Sequence, residues 1–221
     1  RVYEISTCYS DVNRNSTRHL NEYTRLDFEM AYNSGITDSM RLITILIREC
    51  VDYINNAYTR EISALGVKLP EIIQIPAISF DEAMDILGKT SGCDIDPTDE
   101  AKLTAYAKKE FDCEFLFVTA LPTLKQPFYA REGENLILIC NGVTIAHGSE
   151  NIYDYNELIK AIKTKGLSTD NYRAFIDPFK YGMPPHGGGA IEIERLVSKL
   201  LNLDNIREAV LFPRDLHHIT P

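Results

Sequence analysis

Residues 2–9 and 25–32 are rich in β-branched and aromatic side chains and read as strands, with the polar run of residues 11–17 between them as an extended hairpin loop. Apolar residues then recur at Ile43, Ile47, Cys50, Val51, Ile54 and Tyr58, the stripe of an amphipathic helix over residues 37–58. Pro70 and Pro76 punctuate the next stretch, and residues 72–78 are expected to be extended. Ser79 with Glu82 three positions on is a capping box, which starts a short helix ending near Leu87. Residues 88–98 read as loop, followed by a helix to Glu110. Three strands are expected at residues 114–120, 135–140 and 143–147, the last two joined by the tight-turn pair Asn141-Gly142. Asp154 and Glu157 open another helix, which Gly166 ends. A shorter helix covers residues 169–179. The closing third reads as a strand, a helix over residues 194–203 and an irregular tail. Hairpin-joined strands with helices inserted between them predict an α+β fold with a mostly antiparallel sheet.

The 221 residues fit one large domain or two small ones, and no internal feature gives a reason to divide them. A net charge of −9 repels polyanions, so contact with nucleic acid needs a local basic face. The clearest candidate is Lys160 with Lys163 and Lys165 on one predicted helix, a spacing that reads as solvated surface. Five cysteines without a CxxC pair argue against a disulfide framework and a structural zinc site, and for a reducing, cytoplasmic setting. No apolar run reaches the roughly 20 residues of a membrane span, so no membrane partner is expected. The N-terminus is not a signal peptide, and Arg1-Val2-Tyr3-Glu4-Ile5 is already strand-like without an initiator methionine, which suggests a portion of a longer polypeptide.

The stretch HGGGAIEIERL, residues 186–196, concentrates the candidate chemistry. No Gly-Lys-Ser/Thr follows it, so it is not a P-loop, and no βαβ unit surrounds it as a dinucleotide fingerprint requires. Its glycines leave two readings open, a tight structural turn or a backbone that lies close to a flat ligand. Elsewhere, His147 is either a general base or a packed, hydrogen-bonded imidazole. Cys140 reads as a small buried apolar side chain. His217-His218 lacks carboxylate co-ligands for a metal. Asp94, Asp96 and Asp99 form an acidic loop without calcium-loop spacing. Arg214-Asp215 reads as an ion pair that anchors the tail.

The wider stretch FKYGMPPHGG (residues 179–188), then Ile191, Glu194-Arg195-Leu196, LDNIRE (203–208) and LFPRD (211–215), closely resembles the end of aspartyl-tRNA synthetases, most of all the archaeal and eukaryotic type. Arg18-His19-Leu20, Glu22-Tyr23 and LDFEM (26–30) resemble the second motif of that family, and Pro127-Phe128-Tyr129 matches between them. The resemblance covers essentially residues 1–221 and implies a single class II synthetase-like catalytic domain, an antiparallel sheet flanked by helices. The first motif and any anticodon-binding domain are expected to lie outside this stretch. It further implies ATP and magnesium as cofactors if the chain is a working ligase and none otherwise, a tRNA acceptor end or a synthetase subunit as partner, and a possible homodimer. The nucleotide-binding residues it implies are Arg18 and His19 near the phosphates, Glu22 near the adenine, and Tyr23 and Arg195 on either side of the base.

The same resemblance implies losses. Ser10 stands where the family has an arginine that grips the α-phosphate and the substrate carboxylate, and Val12 replaces a glutamate. Ile137 and Thr144 replace the acids of the ATP–magnesium region, and Asn151 replaces the arginine that reads the aspartate side chain. Ala190 and Glu192 replace two glycines of the strand beneath the nucleotide, so that the Glu192 side chain is expected to rise toward its place. The resulting expectation is a paralogue with degraded ATP, magnesium and aspartate sites that acts by binding, with no catalytic residue and no metal ligand assigned. The alternative is a working aspartate–tRNA ligase, or a related aspartate-activating ligase, favoured by Arg18, His19, Glu22, Tyr23 and Arg195.

Overall fold

The computed structural model describes residues 1–11, 15–31, 35–90, 93–122 and 126–218, and the Val12 replacement lies outside them. The described residues form a seven-stranded sheet in the order β1-β2-β7-β6-β5-β4-β3. Its strands are β1 (Val2–Tyr9), β2 (Glu22–Ala31), β3 (Ala77–Ser79), β4 (Phe115–Thr119), β5 (Ala130–Cys140), β6 (Val143–Asn151) and β7 (His186–Glu192). The short β3 runs parallel to β4, and the other neighbouring strands pair antiparallel. The α+β expectation holds.

Side chains alternate between the faces of a strand, and here the two faces are covered differently. On one face, Phe28, Phe115, Phe117, Leu136, Leu138 and Ile145 pack against Ile43, Ile47 and Val51 of α1 (Ile36–Ala57). The periodic stripe read from the sequence is thus the buried face of α1. On the other face, Leu116, Val118, Ile137 and Ile139 meet Phe80, Ala83 and Met84 of α3 (Phe80–Leu87) and Leu103 and Ala107 of α4 (Pro97–Phe111). Each Leu, Ile, Val, Phe or Met among them contributes about 1.5–3 kcal/mol by leaving water. These two helices sit over β3, β4 and β5, and the same face of β2, β7 and β6 forms the floor of a cleft.

The local signals place α3 and α4. Ser79 and Glu82 form the expected capping box, with Ser79 N–H donating to Glu82 Oε2 at 2.7 Å and Glu82 N–H to Ser79 Oγ at 3.2 Å. Asp96 and Asp99 form a second box at the start of α4, where Asp96 Oδ1 accepts from Thr98 N–H at 2.7 Å. Lys89 pairs with both carboxylates. The acidic loop is therefore a helix cap.

Other expectations need correction. Residues 72–78 are extended in the sheet only at Ala77–Ser79. Ile72 and Ile75 are instead buried by an irregular segment between two prolines, which cannot donate to a strand ladder. The helix expected over residues 169–179 is broken into a 3-10 turn (Thr169–Tyr172), α6 (Arg173–Ile176) and another 3-10 turn (Asp177–Tyr181); Pro178, with no N–H to continue the helix, accounts for the end of α6. A helix α2 (Thr59–Leu65), with no buried residue, follows α1, and α5 (Tyr155–Thr164) and α7 (Ile193–Leu200) lie near their expected places. Strands β5 and β6 run beyond the expected ranges, through polar residues such as Arg131, Glu132 and Glu150. Asn141 and Gly142, both with positive φ (42° and 76°), make the tight turn between them.

The tail also differs. Asp215 pairs with Arg207, not Arg214, with Arg207 Nε donating to Asp215 Oδ2 at 2.6 Å. Arg207 also donates to the Ser16 carbonyl at 3.1 Å, and Asn21 N–H donates to the Arg214 carbonyl at 2.9 Å. The tail thereby holds the loop that carries Arg18 and His19. Among the described residues no helix is long and apolar enough to cross a membrane.

Candidate functional site

Three adjoining hollows lie over the open face. The largest, about 680 Å3, runs between the Arg18–His19 loop, the start of α4, Ile137, Thr144 and Arg195. A second of about 290 Å3 lies over β2, β7 and β6, and a third of about 230 Å3 is bounded by Ser10, His19, Tyr23, Glu192 and Arg195. Shared walls at His147, Glu192 and Arg195 make them one cleft.

The strand register explains which side chains face it. Arg25 and Asp27 of β2 stand opposite Glu192 and Ala190 of β7, and Ala190 and Gly188 stand opposite His147 and Ser149 of β6. The glycines beneath are required by the sheet itself. A Cβ on Gly188 would lie 2.0 Å from the Phe28 carbonyl oxygen, and one on Gly189 would lie 2.7 Å from that of His147. The turn reading of the glycine segment thus gives way to a strand whose neighbours approach too closely for side chains.

Of the residues singled out in the sequence, Arg18, His19, Tyr23 and Arg195 come together around the cleft. Glu22, the first residue of β2, does not line any of the three hollows. Both arginines are engaged by carboxylates of the chain. Arg195 Nε donates to Glu192 Oε2 at 2.9 Å and its Nη1 to Oε1 at 3.2 Å, a bidentate pair with side chains only 18% and 17% exposed. Its Nη1 also donates to the Thr144 carbonyl at 3.0 Å. Glu192 thus stands over the cleft, as expected, but turned onto Arg195. Burial pushes the Glu192 carboxyl up from its ordinary pKa, while Arg195 and Arg25 favour its ionised form.

Arg18 forms an ion pair with Glu100 of α4 and donates to the Gly142 carbonyl at 2.9 Å. Glu100 also accepts from the Thr144 backbone N–H at 3.2 Å and from the Thr144 hydroxyl. Sequence reading missed Glu100. It lies in the charged first turn of a helix, 44 residues from Thr144, and no local spacing links the two.

The remaining candidates sort plainly. His147 is half exposed, with its Nε2 3.8 Å from Glu192 Oε1. The cleft walls, and then the Arg195 guanidinium, disfavour its protonation and hold it below the usual imidazole range. Cys140 is buried in the apolar core, as expected, and burial pushes its thiol up. His218 Nδ1 lies 2.9 Å from Asp215 Oδ1, so this histidine belongs to the tail anchor. Asn151 is buried, donates to Glu29 Oε1 at 3.2 Å and accepts from Ser149 Oγ at 2.9 Å.

These donors do not suit a magnesium-bound triphosphate. Magnesium favours carboxylate and water oxygens, and Ile137 supplies none while the Thr144 hydroxyl is committed to Glu100. Among the described residues no three His, Cys, Asp or Glu side chains form a set that could hold a metal ion. Ser10, beside Tyr23 and Arg195, is an uncharged residue at the position where the family resemblance implies a charged, bidentate donor to phosphate.

A mostly antiparallel sheet with a cleft on one face and this ordered set of motifs define a class II aminoacyl-tRNA synthetase domain. The chain belongs to the family described as tRNA synthetases class II (D, K and N), whose model matches residues 1–216. It is 39% identical over 231 aligned positions to the aspartate–tRNA(Asp/Asn) ligase of Thermus thermophilus, covering 100% of this chain and 55% of that protein. To the aspartate–tRNA(Asp) ligase of Thermococcus kodakarensis it is 34% identical, covering 100% of this chain and 53% of that protein. The chain therefore spans about half the length of these relatives. Among solved structures, the aspartyl-tRNA synthetase of Entamoeba histolytica superposes with a TM-score of 0.93 at 25% identity, over 99% of this chain and 48% of that one. The asparaginyl-tRNA synthetase of Pyrococcus horikoshii, solved with asparaginyl-adenylate, gives 0.91 at 28% identity, over 99% of this chain and 53% of that one.

Proposed function

We propose that this aspartyl-tRNA synthetase-like domain does not activate aspartate and acts by binding, with a tRNA acceptor end or a synthetase subunit as its partner in the cytoplasm. The observation that carries this reading is the closure of Arg195 onto Glu192. A guanidinium held bidentately by a carboxylate is neutralised, and a nucleotide must displace that carboxylate or accept its repulsion. Arg18 is engaged in the same way by Glu100, so both cationic groups that the family resemblance assigns to the nucleotide are held by the chain's own acids.

A second reading, a working aspartate–tRNA ligase, is favoured by Tyr23 and Arg195 lining the same hollow of about 230 Å3, where a flat base would fit between them. Thermal unfolding with ATP and magnesium separates the two. A ligand that binds the folded state raises stability by RT ln(1 + [L]/Kd). The binding reading expects no resolvable shift in Tm at millimolar ATP–magnesium. A saturable rise in Tm that Arg195→Ala removes would favour the ligase.

A further inference from the structure

The start of β6 touches both arginines of the cleft, and Thr144 takes part on each side. Its backbone N–H donates to Glu100 Oε1 at 3.2 Å, and its hydroxyl donates to the same oxygen. Glu100 Oε2 is thereby left facing Arg18, with which it pairs. Arg18 also donates to the Gly142 carbonyl at 2.9 Å. The Thr144 carbonyl in turn accepts from Arg195 Nη1 at 3.0 Å. The hairpin end is itself seated on α4, since a Cβ on Gly142 would lie 3.3 Å from Ala101 Cα. Residues 142–144 therefore join α4, the Arg18 loop and α7.

The side chain of Glu100 is only 11% exposed, and a carboxylate so enclosed is tolerated only when its oxygens are paired or hydrogen-bonded. Its place in the first turn of α4 favours a negative charge but does not aim the carboxylate. The aim comes from Thr144, whose two donors on Oε1 fix the rotation and present Oε2 to Arg18. An acid at this position, which the family resemblance implies, has no side-chain donor to offer and would set a like charge against Glu100. Threonine therefore does two things here. It removes a carboxylate suited to magnesium, and it supplies the hydroxyl that steers Glu100 onto Arg18.

We infer that Thr144 is the positioning residue of an internal lock: its hydroxyl holds Glu100 on Arg18, so that the loss of a metal-binding acid and the capture of a phosphate-side cation have one cause. This role deepens the binding reading and rests on it, because it names how the chain keeps Arg18 from an incoming phosphate. It also sets Thr144 apart from Ile137. Both stand where the family resemblance implies an acid, but Ile137 has no donor, so Ile137→Val leaves Arg18 held.

Modification of arginines by phenylglyoxal, followed residue by residue through peptide mass mapping of the whole protein, tests this. A guanidinium held by a carboxylate stays protonated and reacts slowly. Thr144→Val is expected to speed modification of Arg18 about fivefold, the size of one net hydrogen bond. Thr144→Ser, which keeps the hydroxyl, is expected to react at the parent rate. Glu100→Gln is expected to speed it about tenfold or more, as an ion pair is lost, and adding Thr144→Val to Glu100→Gln is expected to change nothing further. Arg207, held by Asp215 in the tail, is the internal reference, and its rate is expected to stay constant in every variant. An unchanged Arg18 rate in Thr144→Val, a serine variant that behaves like valine, or an equal effect of valine with and without Glu100 would overturn the inference. So would a rise of Arg207 in step with Arg18, which marks general loosening of the fold. ATP–magnesium stabilisation alongside the expected pattern contradicts only the binding reading. An unchanged Arg18 rate without ATP binding contradicts only the lock.

Discussion

Glu192→Gly is expected to raise the affinity of the protein for ATP–magnesium at least tenfold, about 1.4 kcal/mol. The Glu192 carboxylate makes two hydrogen bonds to Arg195, at 2.9 Å and 3.2 Å, in a largely desolvated corner of the cleft. At an effective dielectric near 20, two unit charges about 4 Å apart interact by roughly 4 kcal/mol. Removing the acid therefore both frees the guanidinium and lifts a repulsion from any phosphate placed nearby. Residual solvent screening and the uncharged Ser10 reduce the gain, which is why the lower bound is set at tenfold and not at the full Coulomb energy. Glu192→Gln separates the contributions. Gain in both variants assigns the block to charge, and gain in the glycine variant alone assigns it to the volume of the side chain. Unchanged affinity in both would remove Glu192 from the explanation.

Gly188→Ala is expected to cost about 3 kcal/mol of stability, at the upper end for overpacking, and to lower Tm by about 6–12 °C for a chain of this size. The new methyl would sit 2.0 Å from the Phe28 carbonyl oxygen and 2.8 Å from Glu29 Cδ, so the β2–β7 ladder must open to admit it. Gly66→Ala is the control. Gly66, unlike Gly188, has a positive φ, 66°, but nothing lies within 4 Å of its added Cβ, so only backbone strain of about 1 kcal/mol is expected. Equal melting of the two variants would mean that the glycine floor yields without cost and does not constrain the sheet.

The features legible in the sequence were local. The α1 stripe, the Ser79–Glu82 box and the Asn141-Gly142 turn are each specified by residues within a few positions of one another, and each stands where expected. The polar ends of β5 and β6 carry no apolar alternation and become strands only because neighbouring strands pair with them. In the cleft, substitutions such as Ser10, Ile137 and Asn151 were visible through family resemblance, but their surroundings were not. Glu100 reaches Thr144 and Arg18 across the fold, and sequence distance conceals that contact. The tail anchor followed the same logic. Arg214 is next to Asp215 in sequence, yet it is Arg207, eight positions away, that folds back onto the carboxylate. The Glu192–Arg195 pair was closest to being legible, since a spacing of three across the start of α7 brings two long side chains within reach.

On the proposed reading, a synthetase scaffold retains its cleft while the groups that would grip a triphosphate, a metal and aspartate are replaced or held by internal acids. Catalytic groups that act as a unit lose activity together. Aspartate-dependent exchange of pyrophosphate into ATP by the whole protein measures that unit directly. The rate is predicted to match a blank lacking aspartate at millimolar ATP and magnesium. A sustained aspartate-dependent rate, abolished by Arg195→Ala, would contradict the account and establish the domain as an activating enzyme.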